Sequence, residues 1–260
     1  MRRFAPNKRQ LATYGSAQPK WVHPCAQGRT SMNSNQLLGH LTDAEKQTLQ
    51  KASTELTIVR DSTLANPATH VLFPLSGMIS LVIKFSDESQ HEVGCVGSEG
   101  VSSAFILTSR YQPPVIAFGQ IPGRAVSVLI ETVRSLAQGN DAFRQALEDY
   151  AAQRYYQACV TAACNAHHNV PQRLAKWILT AGDRVQSQNV PLTHDYLAMM
   201  LGTRRATVTV AAQRFAEEGW ITYRRGHIDI KNPDALLNAS CECYGMNPFN
   251  TRQSLVRAAA

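Results

Sequence analysis

Residues Leu192–Phe215 read LTHDYLAMMLGTRRATVTVAAQRF, two apolar-patterned segments joined by a single glycine. Thr193 stands where it can cap a first short helix, and Asp195 adds a favourable charge at that helix's positive end. Leu197, Met200 and Leu201 form its inward side. Gly202 supplies a sharp turn that needs left-handed backbone. Thr203 is expected to cap a second helix, on which Val208, Ala211 or Ala212, and Phe215 recur at helical spacing and point inward. Arg205, Ala206, Thr209, Val210 and Gln213 then face outward.

The second helix opens on two adjacent arginines, Arg204 and Arg205. Cations there oppose the helix macrodipole, at about a few tenths of a kcal/mol. A helix start with a purely structural role favours acids. The placement makes sense if that end faces an anion. A recognition helix enters the DNA major groove N-terminus first, and arginine bidentate to guanine is its commonest specific contact. Upstream, Pro171 opens a helix at its first position, and QRLAKWILTAGDRV puts Leu174, Trp177, Ile178 and Ala181 on one face. Downstream, WITYRRGHIDI reads as two short strands around Arg224-Arg225-Gly226. Helix, helix-turn-helix and hairpin, in that order, make a winged helix.

Working toward the N-terminus, the period changes twice. AFRQALEDYAAQRYYQACVTAACNAHHNV is one long helix capped by Asn140 or Asp141, with Phe143, Leu147, Tyr150, Ala158 and Ala162 near helical spacing. Its alanine-rich half lets a second helix approach closely, and at about 42 Å it outruns one small barrel, so a homodimer seam is expected. A short helix over about 131–137 precedes it. Over about 54–130, ELTIVRDSTL, HVLFPL, GMISLVIKF, SQHEVGCVG and VIAFGQIPGRAVSVLI are short β-rich runs punctuated by Pro, Gly, Asn, Ser and Asp, the pattern of an antiparallel barrel or jelly roll. From Leu37 to about Ala52 the pattern is helical, with a Thr42/Glu45 capping box. Residues 1–35 read as a disordered basic extension. Met32 at its end is expected to be the natural start, which the mass of the native N-terminus would check.

Charge and cysteines bound the function. The chain has 260 residues and a net charge of +7. Six basic residues and no acid lie in 1–31, leaving 20 basic against 19 acidic elsewhere. The global charge therefore says little about the folded body, and a nucleic-acid argument must rest on local charge. No stretch approaches the roughly 18 uninterrupted apolar residues of a membrane span. Six scattered cysteines with no secretory signal fit free thiols in the cytoplasm.

The region from about Leu37 to Tyr244 resembles the Crp/Fnr family of bacterial transcription regulators, in a branch without an established ligand. LTHDYLAMMLGTRRATVTVAAQRFAEEGWITYRRGHIDI is similar to its helix-turn-helix and wing. VLFPLSGMISLV resembles a strand–turn–strand of its sensor barrel, and AACNAHHNVPQRLAKWIL its junction between dimer helix and DNA-binding domain. The resemblance implies an α+β fold: a cyclic-nucleotide-binding-like antiparallel β-barrel (36–139), a dimerisation helix (140–169), a winged helix-turn-helix DNA-binding domain (170–244) and a C-terminal tail (245–260). It implies a non-enzymatic regulator binding double-stranded DNA at a pseudo-palindromic operator as a homodimer, with RNA polymerase and an unknown small-molecule effector as further partners.

Carried over residue by residue, the base-reading arginine falls on Arg205, and phosphate contacts on Thr193 and Thr207. Thr203, Arg204, Thr209, Gln213, Arg224 and Arg225 complete the expected DNA-binding set. The acid that follows the arginine in well-known members is Ala206 here, and a second contacting arginine is Val210, so their DNA consensus does not transfer. Cyclic-nucleotide binders carry Gly-Glu-Leu and then Arg-Ser/Thr-Ala. Here GSEGVSSAFILTSRYQPPVIAF keeps Gly100, lacks Glu-Leu, and has Pro114 and Val115 about where the arginine belongs, with Arg110 nearby. A cyclic AMP response is not expected; a cyclic-nucleotide-gated regulator of the same architecture is the alternative. The iron–sulfur branch needs clustered N-terminal cysteines, and only Cys25 lies there.

A second alternative is a metal- or redox-binding sensor. Cys164, His167 and His168 share nearly one helix face and are transition-metal ligand types. The favoured reading of that trio is a polar helix end, so no metal and no cofactor are expected. Cys241 and Cys243, in CEC, have no second pair nearby in sequence and read as ordinary packing. No nucleophile elbow, Walker loop or His-Glu-x-x-His is present.

Overall fold

The computed structural model describes residues 31–64, 69–107, 115–185 and 187–249. Cys25, Arg110 and Pro114 lie outside the described residues. The N-terminal part is an antiparallel sheet of β1 (Ser53–Ile58), β2 (His70–Lys84), β3 (Gln90–Val96) and β4 (Ile116–Leu129), in the order β1-β4-β2-β3. HVLFPL and GMISLVIKF, expected as separate runs, form the single strand β2. The chain runs on through the turn signals because Gly77 takes φ 74 and faces Gly123: a Cβ on Gly77 would sit 2.5 Å from the Ile121 carbonyl oxygen, and one on Gly123 2.3 Å from that of Ser76. Only glycine permits this close crossing. The β2–β4 register shifts here, between Pro74 and Ile79, and the sheet bends.

Period-2 alternation sends successive side chains to opposite faces. Val71, Phe73, Leu75, Val126 and Val128 pack against Leu38, Leu49, Val133, Phe143, Leu147 and Tyr150. Leu72, Ile79, Leu81, Val96, Ala117 and Ala125 pack with Ile58 and Leu64 on the other side. The first cluster is closed by α1 (Asp43–Lys51), α2 (Ile130–Gly139) and the start of α3 (Asp141–His167). The Thr42/Glu45 capping box forms, and Asn140 caps α3 by accepting from the Phe143 amide. The helical pattern expected from Leu37 is interrupted: Leu38–His40 is one 3-10 turn, and α1 starts at Asp43.

Two boundaries differ from expectation. Within the extension assigned to 1–35, Met32–Ser34 makes a 3-10 turn and Asn35 is fully buried. The Asn35 amide donates to the carbonyls of Pro74 and Gly100, and its oxygen accepts from the Leu37 and Leu38 amides. A buried amide with every valence used is well paid in enthalpy, and composition does not reveal it. Likewise, the tail from 245 begins by folding back: Asn247 is buried and Phe249 lies on Tyr150 at a ring distance of 5.6 Å.

The C-terminal part comprises α4 (Val170–Val185), β5 (Asn189–Val190), α5 (His194–Leu201), α6 (Arg205–Glu217), β6 (Ile221–Arg224), β7 (His227–Ile230) and α7 (Pro233–Ala239), with a sheet ordered β5-β7-β6. It packs directly on the N-terminal sheet. Met78, Cys95 and Ile121 share a core with Leu174, Ile178, Leu197 and Phe215. The Tyr196 hydroxyl donates to the Gly119 carbonyl at 3.0 Å. Arg184, from α4, reaches the Cys95 carbonyl and lies 3.5 Å from Glu99. No described helix is long and apolar enough to cross a membrane.

Glu92 sits at this seam. Part of the residue is exposed, but one carboxyl oxygen is closed off from solvent, and Ser80 donates to the other. Burial pushes its pKa up to about 8, against the opposing pull of the Ser80 hydrogen bond and of Arg184 and Arg154. The neutral carboxyl's contribution to stability is complete below its unfolded value and is lost as pH rises through the folded one. Unfolding free energy should therefore fall between about pH 5 and pH 8, and Glu92→Gln should flatten that slope. Urea titrations across the range check this; parallel slopes for wild type and Glu92→Gln would assign the titration to another group.

Candidate nucleic-acid interface

The local structure of α5 and α6 follows from a few residues. The Thr193 hydroxyl accepts from the Tyr196 amide and caps α5. Gly202 ends it at φ 56, with its amide bonded back to Ala198 and Met199, a left-handed C-terminal cap that favours glycine. The cap of α6 differs from expectation. Its N-cap is Arg204, not Thr203, and no side chain accepts from the first-turn amides. Thr203 is one residue too early because its own amide bonds the Ala198 carbonyl and so completes the turn.

Val208, Ala211, Ala212 and Phe215 are buried against α4 and α5. This leaves Arg204, Arg205, Ala206, Thr207, Val210 and Gln213 exposed on the outer side, with Val210 67% accessible. The first turn of α6 holds no acid. Open amides and two guanidinium groups thus concentrate positive potential at one end of one helix. Arg205 is steadied by Asp195, 3.4 Å away across the turn; both are about two-thirds exposed, so the pair adds orientation and little stability.

Thr209 is half-buried, and its hydroxyl is engaged internally, donating to the Arg205 carbonyl at 3.0 Å and pairing with His194 Nδ1 at 3.1 Å. His194 also stacks on Tyr223 of the wing, ring centroids 4.2 Å apart. One imidazole therefore braces α5, α6 and β6 together. Burial, and then the nearby Arg205 charge, hold its pKa below the ordinary value and favour the neutral ring. The sequence reading missed His194; the available signal was only its place beside a capping threonine. In the wing, Arg225 takes φ 48 and Gly226 φ 79, the geometry of a type I′ hairpin. Arg224 and Arg225 are exposed at its tip, and Gly226 approaches Thr193.

The cysteine and histidine readings need correction. Cys164 and His168 do come together, but His167 is not in their group. Their companions are Cys241 and Cys243, and the four ligand atoms all lie within 4.8 Å of one another. The CEC segment lacks a second pair in sequence yet has one in space. It lies at the 3-10 turn Glu242–Tyr244, which follows α7 and packs on the end of α3. A hydrogen bond between the Cys164 and Cys241 thiols, helped by the Lys176 ammonium, draws the Cys164 pKa well down and drives that of Cys241 up.

Residues 172–239 match the Crp-like helix-turn-helix domain family. No curated protein matches the chain in sequence. Among solved structures, the chain is similar to a putative transcriptional regulator of the Crp/Fnr family from Eubacterium rectale, at 17% identity and a TM-score of 0.62, covering 80% of this chain and 98% of that one. It is similar to FixK2 from Bradyrhizobium japonicum at 18% identity and a TM-score of 0.63, covering 73% and 98%. It is also similar to the c-di-GMP-responsive global regulator CLP of Xanthomonas campestris at 15% identity and a TM-score of 0.59, covering 73% and 99%. At these identities the likeness is one of fold. Residues 172–239 thus form a Crp-like helix-turn-helix domain, carried in a chain whose fold is similar to that of Crp/Fnr-type regulators.

Proposed function

We propose that the protein acts as a homodimer on a pseudo-palindromic operator. On this reading 36–139 is the sensor module, 140–169 the dimer helix and 170–244 the DNA-binding module. The observation that carries it is the outer side of α6, exposed along its length and headed by Arg204 and Arg205 at an uncapped N-terminus free of acids. Arg205 reads a base edge. Arg204, Thr203, Thr207, Arg224 and Arg225 hold phosphates, as does Thr193 beside the wing tip. Gln213 adds a base or phosphate contact, and Val210 presents an apolar surface suited to a thymine methyl. Thr209, whose hydroxyl is already bonded, contributes chiefly through its methyl group. Two-fold symmetry sets the half-sites about 34 Å apart, or a multiple of that.

The dimer has its own support. Ala152, Tyr155, Cys159, Ala162 and Ala166 are all exposed on α3, at alternating steps of three and four. That is heptad spacing, with three alanines, a cysteine and the exposed Tyr155 on a face that a second helix can approach. Ala162 belongs to this exposed stripe in the alanine-rich half, while Phe143, Leu147 and Tyr150 are buried against the sheet.

Cyclic AMP is not the effector on this reading. A Cβ on Gly100 would lie 2.2 Å from the Tyr150 ring, whose hydroxyl donates to the Val101 carbonyl. The backbone that would cradle a cyclic phosphate is thus covered by α3, and Val115 offers no cation. The protein acts in the cytoplasm, with RNA polymerase and an unidentified small effector as further partners.

Arg205→Ala should cost about 1–3 kcal/mol at one operator position and relax specificity there, whereas Arg224→Ala should weaken all sequences alike and reduce the salt slope by about one. Salt-dependent binding to a genome-selected operator separates the two effects, and undiminished selectivity in Arg205→Ala would remove it from base reading. Ala162→Glu should shift the chain toward monomer in sedimentation equilibrium, since like charges then meet across the seam. Calorimetry with cyclic AMP should show no binding heat at ligand concentrations up to about 1 mM, where a specific site would be occupied.

A further inference from the structure

We propose that Cys164, His168, Cys241 and Cys243 form a four-ligand site for a divalent transition metal of the zinc class, clasping the end of α3 to the segment that follows α7. The donor set is three thiols and one imidazole, a closed combination used by structural zinc sites. Zn–S bonds of about 2.3 Å in a tetrahedron place neighbouring sulfurs roughly 3.7 Å apart. Cys164 Sγ lies 3.6 Å from Cys241 Sγ, and Cys243 Sγ lies 3.7 Å from His168 Nδ1. All four atoms lie within 4.8 Å of one another, so one ion can reach them all with small side-chain adjustments. The three cysteines are buried in a small cluster with Val160, where thiolates left without a counter-charge are costly.

The surroundings match as well. His168 presents Nδ1 to the cluster while its Nε2 lies 3.1 Å from the Glu242 carboxylate. An imidazole that binds metal through one nitrogen and donates its other N–H to a carboxylate is oriented and made more basic. Lys176 donates to Cys164 Sγ at 3.3 Å and offsets part of the negative charge of three thiolates. Spacing explains the assembly. Cys164 and His168 are four residues apart at the last turn of α3 and so share a face. Cys241, the N-cap of the 3-10 turn Glu242–Tyr244, and Cys243 within it both bring their sulfurs into the group. His167 is exposed and is absent from the group.

The position has a consequence for regulation. The α3–α4 junction at Asn169 lies between the two ligand pairs in the chain. A bound ion cross-links the dimer helix to the far end of the DNA-binding module and fixes the angle between them. Loss of the ion, or oxidation of its thiolates, frees that angle.

The test is elemental analysis of the full chain, purified under reducing conditions without chelator from zinc-supplemented cells, with cobalt reconstitution of the apo form. About one zinc per chain is expected, and cobalt should bring up thiolate-to-cobalt charge-transfer bands with the visible bands of a tetrahedral site. Cys241→Ser/Cys243→Ser should lose both signals, and His167→Ala should keep both. Absence of metal together with no charge-transfer bands in wild type would overturn the proposal, and because that readout uses the native chain, a misfolded variant cannot mask it. Full retention by the double serine variant, or loss in His167→Ala, would equally overturn it. None of these readouts involves DNA, so failure of the operator reading leaves them unaffected.

Discussion

The inward face of α6 is the constraint on which its exposed, arginine-headed outer side depends. Val208, Ala211, Ala212 and Phe215 are all buried against α4 and α5. Burying a valine or phenylalanine side chain stabilises by about 1.5–3 kcal/mol each, enough to fix the helix's rotation about its axis. Once that rotation is fixed, the 3.6-residue period leaves no choice about what faces outward. Arg205 and Gln213 are presented because Val208 and Phe215 are hidden. The left-handed turn at Gly202 sets the crossing of α5 and α6, and His194 ties both helices to the wing. The unfavourable placement of cations at a helix start is thus held by packing elsewhere.

The same economy of parts links the modules. α3 lends its first half to the sheet's core through Phe143, Leu147 and Tyr150, leaves a small-residue stripe exposed along its middle, and ends in the Cys164/His168 pair. Arg173, buried just past the junction, donates to Asn165 on α3 and to the Leu201 carbonyl at the end of α5. The junction is therefore bonded directly to the end of α5, just before the turn that precedes α6. α5 also touches the N-terminal sheet, through Tyr196 to Gly119 and Gln120 to Met200. The N-terminal sheet and α5 are thus in direct contact, and coupling between two such elements would need only two arrangements of one packed interface.

Much of this was legible in the chain alone. The switch from period 2 to period 3.6, the Thr42/Glu45 box, the Asn140 and Thr193 caps, Gly202 and the Arg225-Gly226 turn are local signals, each set by interactions within about four residues. They determined the elements, their order, and the outward face of α6. Where local reading failed, a distant group had intervened. Thr203 lost its capping role to a backbone bond with Ala198, two β runs fused because Gly77 meets Gly123, and Asn35 was recruited by carbonyls 39 and 65 residues away.

Tertiary structure alone decided the rest. CEC gives no sign of its neighbours because Cys164 lies 77 residues before Cys241, and only the packing of the turn after α7 on the end of α3 brings the four side chains together. The docking of the winged helix on the sheet, the burial of Glu92, and the covering of Gly100 by Tyr150 likewise depend on surfaces from separate parts of the chain. Periodicity and capping are encoded locally because helix and strand geometry repeats over a few residues. Contacts between elements depend on loop paths and mutual packing, which no window of sequence contains.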